Sequence, residues 1–283
     1  MPGRLSVRGG VGGFTLVELL VVIGIIAMLI SILLPSLNKA RQSAQAAACL
    51  SNLRQVGMAI VMYANENKGL LPPMIVSTSW TLDVEGTPAP CYVTWFGGFR
   101  LSDKKWLPNT SPLAKFWGGT ANVAGCPTFN DFHNLRMHYG PVDYAYNSIA
   151  GGHNTMPAIQ PTRQTKLSQF RNTTEKALVW DSARYIAGAF DRTPFGYPTT
   201  GIATVANAGV PVAGADTPDP NFHGRHSNKG NVCWMDGHAS AFTPYYFTSY
   251  TPGGPDGAIA KRYLIGNIDD DKNQATNEHY GFQ

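Results

Sequence analysis

The 283-residue chain is short of charge: Asp, Glu, Lys and Arg together make up 14% of it, and 22 basic against 18 acidic residues leave a formal net charge of +4. So little charge of either sign excludes a disordered acidic or basic tail and a coiled-coil rod. It also fits poorly with a protein that coats nucleic acid with basic stripes, so no specific nucleic acid is expected as a partner. Cysteine is sparse, with four residues, and none forms a C-x-x-C pair. No Ser/His/Asp arrangement, phosphate loop or dinucleotide fingerprint occurs, so the familiar enzyme classes lack their minimum residues and no catalytic residue is assigned. No internal repeat is visible. What remains, 43% hydrophobic residues with 30 Gly and 20 Pro, describes a loop-rich chain able to bury a sizeable core.

The apolar residues are concentrated at one end. Residues 14–34 form a run of 21 whose only ionisable side chain is Glu18. At 1.5 Å per residue such a helix spans about 30 Å, the thickness of a bilayer's hydrocarbon core. Ahead of it lies a short leader with Arg4, Arg8 and four glycines in its last five residues. A secretory signal cut near Ala44-Gln45-Ala46 would have a shorter apolar region. A plain uncleaved anchor is the other simple reading. Flanking charge leaves topology open, because Arg4 and Arg8 face Lys39, Arg41 and Arg54.

A carboxylate in hydrocarbon costs a few kcal/mol or more, so Glu18 is expected to have a cationic partner, unless it lies near the headgroups and is solvated or protonated there. Beyond Pro35 the residues Leu37, Ala40, Ala44, Ala47, Leu50, Leu53, Val56, Ile60 and Tyr63 recur at helical steps, which predicts an amphipathic continuation packed on a sheet. Gly69 and Pro72-Pro73 supply its stop. From residue 71 onward short β-prone runs alternate with Gly, Pro, Asn and Asp. They predict strands over 92–96, 142–149, 176–180, 232–235, 239–242 and 245–250 in an antiparallel sheet. Asp236-Gly237 predicts a two-residue type I′ hairpin spanning 231–242. Residues 185–225 show little periodicity and read as a long irregular loop. The fold class is α+β: a long N-terminal helix, first transmembrane and then amphipathic, packed on a C-terminal antiparallel sheet with long loops.

His223, His226, Asp236 and His238 fall within sixteen residues. Two readings stand: a transition-metal site, or a structural tether in which His226 holds the preceding loop to the hairpin. Asp269, Asp270 and Asp271 offer the hard oxygen donors that calcium takes, although the spacing is not that of an EF-hand, and a solvated acidic turn is the preferred reading. Calcium is the cofactor that this acidic run would take, and no cofactor is required by the sequence. Cys49, Cys91, Cys126 and Cys233 allow three disulfide connectivities, and an exported domain would permit any of them. A Cys49–Cys126 bridge, clamping helix to globule, is the preferred one, with buried free thiols as the alternative.

The stretch Gly13-Phe14-Thr15-Leu16-Val17-Glu18, opening an unbroken apolar helix after a basic leader, resembles the processing site of type IV prepilins and type II secretion pseudopilins. The resemblance implies cleavage after Gly13 by a prepilin peptidase, methylation of the new amino terminus at Phe14, and a Glu18 that pairs with the amine of a neighbouring subunit during assembly. Pro35 sits where many pilins carry a helix-kinking proline. His226, nine intervening residues and Asp236-Gly237 resemble the H-X9-DG motif of a group of prepilin-like proteins, and Cys126-Pro127 and Tyr144-Ala145-Tyr146-Asn147-Ser148 resemble that group's middle region.

On this basis residues 1–13 are a leader, 14–35 the transmembrane and filament-core helix, 36–68 its amphipathic continuation, and 69–283 a β-rich globular domain. The implied protein is a single-pass subunit of the cytoplasmic (inner) membrane with its C-terminal domain outside the cytoplasm, self-assembling into a helical pilus or pseudopilus. Its implied partners are the peptidase, an assembly ATPase, a platform protein and, before assembly, membrane lipid. The rival readings are a membrane-anchored extracytoplasmic binding or metal-binding protein, and a minor pilin or adhesin.

Overall fold

The computed structural model describes residues 15–77, 82–84, 87–89, 91–100, 105–117, 123, 125–129, 143–147, 165–186, 189–191, 195–196, 222–246, 257–266 and 268. Helix α1 runs Leu16–Glu66 and contains Pro35, so the proline does not end it. Residues up to Ser43 belong to one compact unit and those from Ala44 to a second.

In the first unit the apolar side chains are exposed, Leu16 at 78%, Ile32 at 65% and Leu37 at 64% among them. This stretch is long and apolar enough to cross a membrane. Its hydroxyls are satisfied within the helix: Ser31 donates to the Met28 carbonyl at 2.7 Å and Ser36 to that of Leu33 at 2.8 Å. Such local bonding suits side chains that have no water to turn to.

In the second unit the same helix buries one face, made of Cys49, Leu53, Val56, Gly57, Ala59, Ile60 and Ala64. The expected stripe is right at Leu53, Val56 and Ile60. Leu50 and Tyr63 are half-buried against the core, while Ala44 and Ala47 are exposed. Burial starts only at Cys49. The helix ends in a Schellman-type turn, with Lys68 at φ 56° and the Gly69 N–H donating to the Ala64 carbonyl at 2.8 Å.

The strands follow in chain order: β1 (Ile75–Ser77), β2 (Leu82–Val84), β3 (Thr87–Ala89), β4 (Cys91–Thr94), β5 (Gly97–Arg100), β6 (Trp106–Leu107), β7 (Tyr144–Asn147) and β8 (Ala177–Asp181). After them come β9 (Arg184–Ile186), β10 (Ala189–Asp191), β11 (Phe195–Gly196), β12 (Phe222–His223), β13 (Gly230–Trp234), β14 (Ala239–Phe242), a short helix α2 (Gly257–Arg262) and β15 (Ile265–Gly266). The principal sheet has the order β11-β7-β8-β13-β14, antiparallel except for the β11–β7 edge pair. A second sheet runs β1-β4-β5-β6. The region expected to be an irregular loop thus holds the β9–β10 ribbon, β11 and β12, whose two- and three-residue strands are too short to show a period. Its residues 197–221 lie outside the described residues, as does most of the strand expected at 245–250.

Side-chain alternation gives the principal sheet two covered faces. Tyr146, Val179 and Cys233 lie in register toward the core that contains Leu53, Val56 and Ile60. Ala145, Trp180 and Val232 lie in register toward a second cluster with Phe222, Trp234 and Ile268. Trp95 extends the helix-side core, its ring 5.2 Å from Tyr146 and 4.8 Å from Phe96.

The helix comes closest to the sheet where it carries no side chain. A Cβ at Gly57 would lie 2.1 Å from the Cys233 Sγ and 3.4 Å from its Cβ. Gly57→Ala is therefore expected to destabilise the protein by about 1–3 kcal/mol through overpacking. In denaturant melts the added change Cys233→Ala should recover most of that loss, and strict additivity of the two substitutions would refute the contact.

Candidate functional site

Gly13 and Phe14 lie outside the described residues. The first described residues form a capping box. Thr15 stands at the N-cap, and its N–H and hydroxyl donate to the Glu18 Oε2 at 2.9 and 2.7 Å. The Thr15 Oγ1 in turn accepts the Glu18 N–H at 3.3 Å. Glu18 therefore has donors in its own chain, beside the two readings the sequence offered, a cation from elsewhere or solvation near the headgroups. The T-x-x-E spacing ahead of an apolar run carried that signal, and Thr15 is the residue the charge argument passed over.

The H-X9-DG residues divide between two places. His226 opens a two-residue turn in which Ser227 and Asn228 both have positive φ, 52° and 66°, and His226 and Lys229 exchange backbone hydrogen bonds at 2.9 and 3.1 Å. This is the type I′ arrangement expected at Asp236-Gly237. There the chain instead forms a three-residue loop. The Trp234 N–H donates to the His238 carbonyl at 2.9 Å, the Gly237 N–H donates to the Trp234 carbonyl at 2.9 Å, and only Gly237 has positive φ, at 92°. Asp236 turns its carboxylate on His238, accepting that residue's N–H at 3.0 Å and facing its Nδ1 at 2.6 Å. The four-residue metal grouping is thus split: Asp236 serves His238, whose ring stacks on Trp234, and His226 reaches elsewhere.

The His226 imidazole is buried, with Nε2 3.2 Å from the Asp181 Oδ2 and 3.5 Å from the Cys126 Sγ. Among the described residues it ties its turn to β8 and to the 125–129 segment. Asp181, at the end of β8 and fully buried, also accepts the Asn231 N–H on Oδ2 at 2.7 Å. Asp143 accepts the Cys126 N–H at 2.7 Å. Arg225 donates from Nη2 to the Ser182 carbonyl and to that of Asp143, and its guanidinium lies 4.1 Å over the Phe129 ring. Two buried carboxylates, a buried guanidinium and an imidazole therefore share one junction.

A disulfide joins Cys49 on α1 to Cys126 at this junction. It closes a loop with a sequence separation of 77 residues, which in the chain-entropy account contributes about 4–5 kcal/mol. Cys233 is a buried thiol whose pKa burial pushes up to about 12. The side chain of Cys91 and the whole of Asp269, Asp270 and Asp271 lie outside the described residues. Among the described residues, the ligand atoms of Cys49, Cys126 and His226 lie within 4.8 Å of one another.

Residues 8–34 match the family model of the prokaryotic N-terminal methylation motif. Neither a curated protein nor a solved structure matches the chain. The motif match spans the helix start with Thr15 and Glu18 and the exposed apolar run, and it is consistent with a type IV pilin-like or pseudopilin chain.

His223 sits beside the junction, fully buried, its ring edge-on to Phe129 at 5.6 Å. Burial first, and then the charge of Arg225, hold its pKa well below the ordinary 6.5, against a smaller opposing contribution from the Tyr263 backbone. Between the depressed folded pKa and 6.5 the unfolded chain binds the extra proton, so His223 makes stability fall as pH drops below about 6.5, by up to about 1.4 kcal/mol per pH unit. Denaturant melts at pH 7.5 and pH 5 should show that loss, and His223→Asn should flatten it. An unchanged slope in the variant would show that His223 is not its source.

Proposed function

We propose that this chain is a structural subunit of a type IV pilus or a type II secretion-like pseudopilus. It is exported, cut after Gly13 by a prepilin peptidase, methylated on Phe14 and assembled through its apolar helix. The observation that carries this reading is the methylation-motif match over residues 8–34, on a helix whose apolar side chains in that stretch are exposed. A surface of that size and hydrophobicity calls for lipid or for copies of itself. Both serve in turn: the bilayer covers the helix of the newly made subunit, and neighbouring helices cover it in the filament. Repeated head-to-tail contacts that do not close into a ring produce such a filament.

The capping box refines the part played by Glu18. Its Oε2 holds Thr15 and the first turn of the helix, while its negative charge is what the amine of a neighbouring Phe14 would meet. Local structure and intersubunit pairing then use the same carboxylate, and a substitution can separate them. Glutamine retains an oxygen acceptor for Thr15 and loses the charge.

Mass spectrometry of the protein from producing cells is expected to find a chain that begins at Phe14 and is one methyl group heavier than the bare sequence. A chain starting at Met1 or at Ala47 would overturn the reading. Glu18→Gln is expected to leave cleavage intact and to reduce filament yield severely, with helix content unchanged by circular dichroism. Normal filaments from that variant would remove the charge pairing.

A further inference from the structure

The disulfide junction has the makings of a second, mutually exclusive state. We propose that, once the Cys49–Cys126 bridge is reduced, the same place binds one zinc-class divalent cation. The ligands are the two thiolates and the His226 Nε2, with the Asp181 carboxylate, which lies against His226 but outside the close set of those three, moving in as the fourth. This site differs from both the acidic run at 269–271 and the grouping of His226 with Asp236 and His238, and it does not depend on whether the chain forms filaments.

The spacing supports it. A tetrahedral zinc ion with Zn–S near 2.3 Å and Zn–N near 2.0–2.1 Å sets a sulfur and a nitrogen ligand about 3.5 Å apart, and a nitrogen and an oxygen ligand about 3.3 Å apart. The Cys126 Sγ and His226 Nε2 are 3.5 Å apart, and His226 Nε2 and Asp181 Oδ2 are 3.2 Å apart. The ligand atoms of Cys49, Cys126 and His226 already lie within 4.8 Å of one another, and all three residues are buried. Two thiolates, an imidazole and a carboxylate form a donor set that zinc takes more readily than calcium or magnesium.

The surroundings point the same way. Among the described residues the buried Asp181 Oδ1 has no hydrogen-bond partner, although the residue is fully enclosed. An unpaired carboxylate oxygen in such a place is costly unless a cation approaches it. The remaining partners orient the ligands: Asp143 holds the Cys126 N–H and the Asn231 N–H holds Asp181. Two thiolates and the Asp181 and Asp143 carboxylates carry four negative charges, of which the divalent ion and the Arg225 guanidinium offset three.

A phosphine takes the oxygen of one water to become the phosphine oxide, and that water's two protons convert the broken S–S bond into two thiols; a dithiol reaches the same state by closing its own disulfide and giving up its two thiol protons. Metal binding then releases those two protons to solvent, while His226 keeps its ring proton on Nδ1 and offers the Nε2 lone pair to the ion. Either state cross-links α1 to the 125–129 segment, by the ion in reducing surroundings and by the disulfide in oxidising ones. The helix would remain clamped to its sheet in both.

The test uses the full-length chain in detergent, carrying Cys91→Ser and Cys233→Ala so that the other two thiols cannot contribute. The protein is reduced with a phosphine, freed of metal and titrated anaerobically with cobalt(II). Visible bands of tetrahedral cobalt with near-ultraviolet thiolate charge transfer are expected to saturate at one equivalent and to be displaced by one equivalent of zinc. The oxidised protein should show neither. His226→Gln and Asp181→Asn, which both still form the disulfide, should each weaken cobalt binding at least tenfold. A reduced protein that keeps its near-ultraviolet circular dichroism and shows no such bands overturns the proposal, as does equal binding by the His226 variant. If reduction loosens the fold, one equivalent of zinc is expected to restore the dichroism, and failure to restore it overturns the site equally.

Discussion

The contact on which the second unit depends is the seam between α1 and the principal sheet, where Gly57 faces Cys233 with no room for a Cβ. Close approach there lets Leu53, Val56 and Ile60 reach the side chains of β7, β8 and β13, and the helix-side core forms around them. A helix held farther off would leave the rings of Tyr144 and Tyr146 with gaps on one side. Cores lose dispersion contacts outright when such gaps are too small for water. The absence of one methyl group thus sets the spacing at which the larger residues can pack.

The same seam explains why so many polar groups are buried at one end of it. Cys49 lies one helical turn before Leu53, and its disulfide brings Cys126 against the helix. Asp143 secures the Cys126 backbone, Asp181 and Asn231 bridge β8 and β13, and His226 and Arg225 enter from the turn after β12. The arrangement serves as a polar clasp beside an apolar core. His226 faces Asp181, and Asp181 also accepts the Asn231 N–H, so removal of either side chain would leave the other buried without its partner.

Within α1 two environments meet on one secondary-structure element. The residues before Ser43 display apolar side chains to whatever surrounds them, and the residues after Cys49 show only one apolar face to the sheet. The backbone is the same in both, since helical hydrogen bonding satisfies itself without water. The difference lies in which neighbours the side chains demand. Thr15 and Glu18 close the exposed donors at one end, and Lys68 with Gly69 closes the carbonyls at the other.

Several features were legible in the residues alone: the helix and its apolar first half, the stop near Gly69, five of the strand positions and the α+β class. They rest on local periodicity, capping chemistry and the length of an apolar run, all of which act between residues close in the chain. The placement of the type I′ turn at Ser227-Asn228, and of a bulged loop at Asp236-Gly237, depended on how β13 pairs with β14 and β8, which no local pattern encodes. Cys49 and Gly57 joined the buried face because of what the sheet presents to them, whereas Ala44 and Ala47, at equally good helical spacing, found nothing there to cover them. Asp181 and Asp143 carried no recognisable motif. Their roles arose when folding brought β8 and the residue before β7 to the same point as His226 and the disulfide, because charge pairing of that kind is a property of distance in space, and distance in space between remote residues is fixed only by tertiary packing.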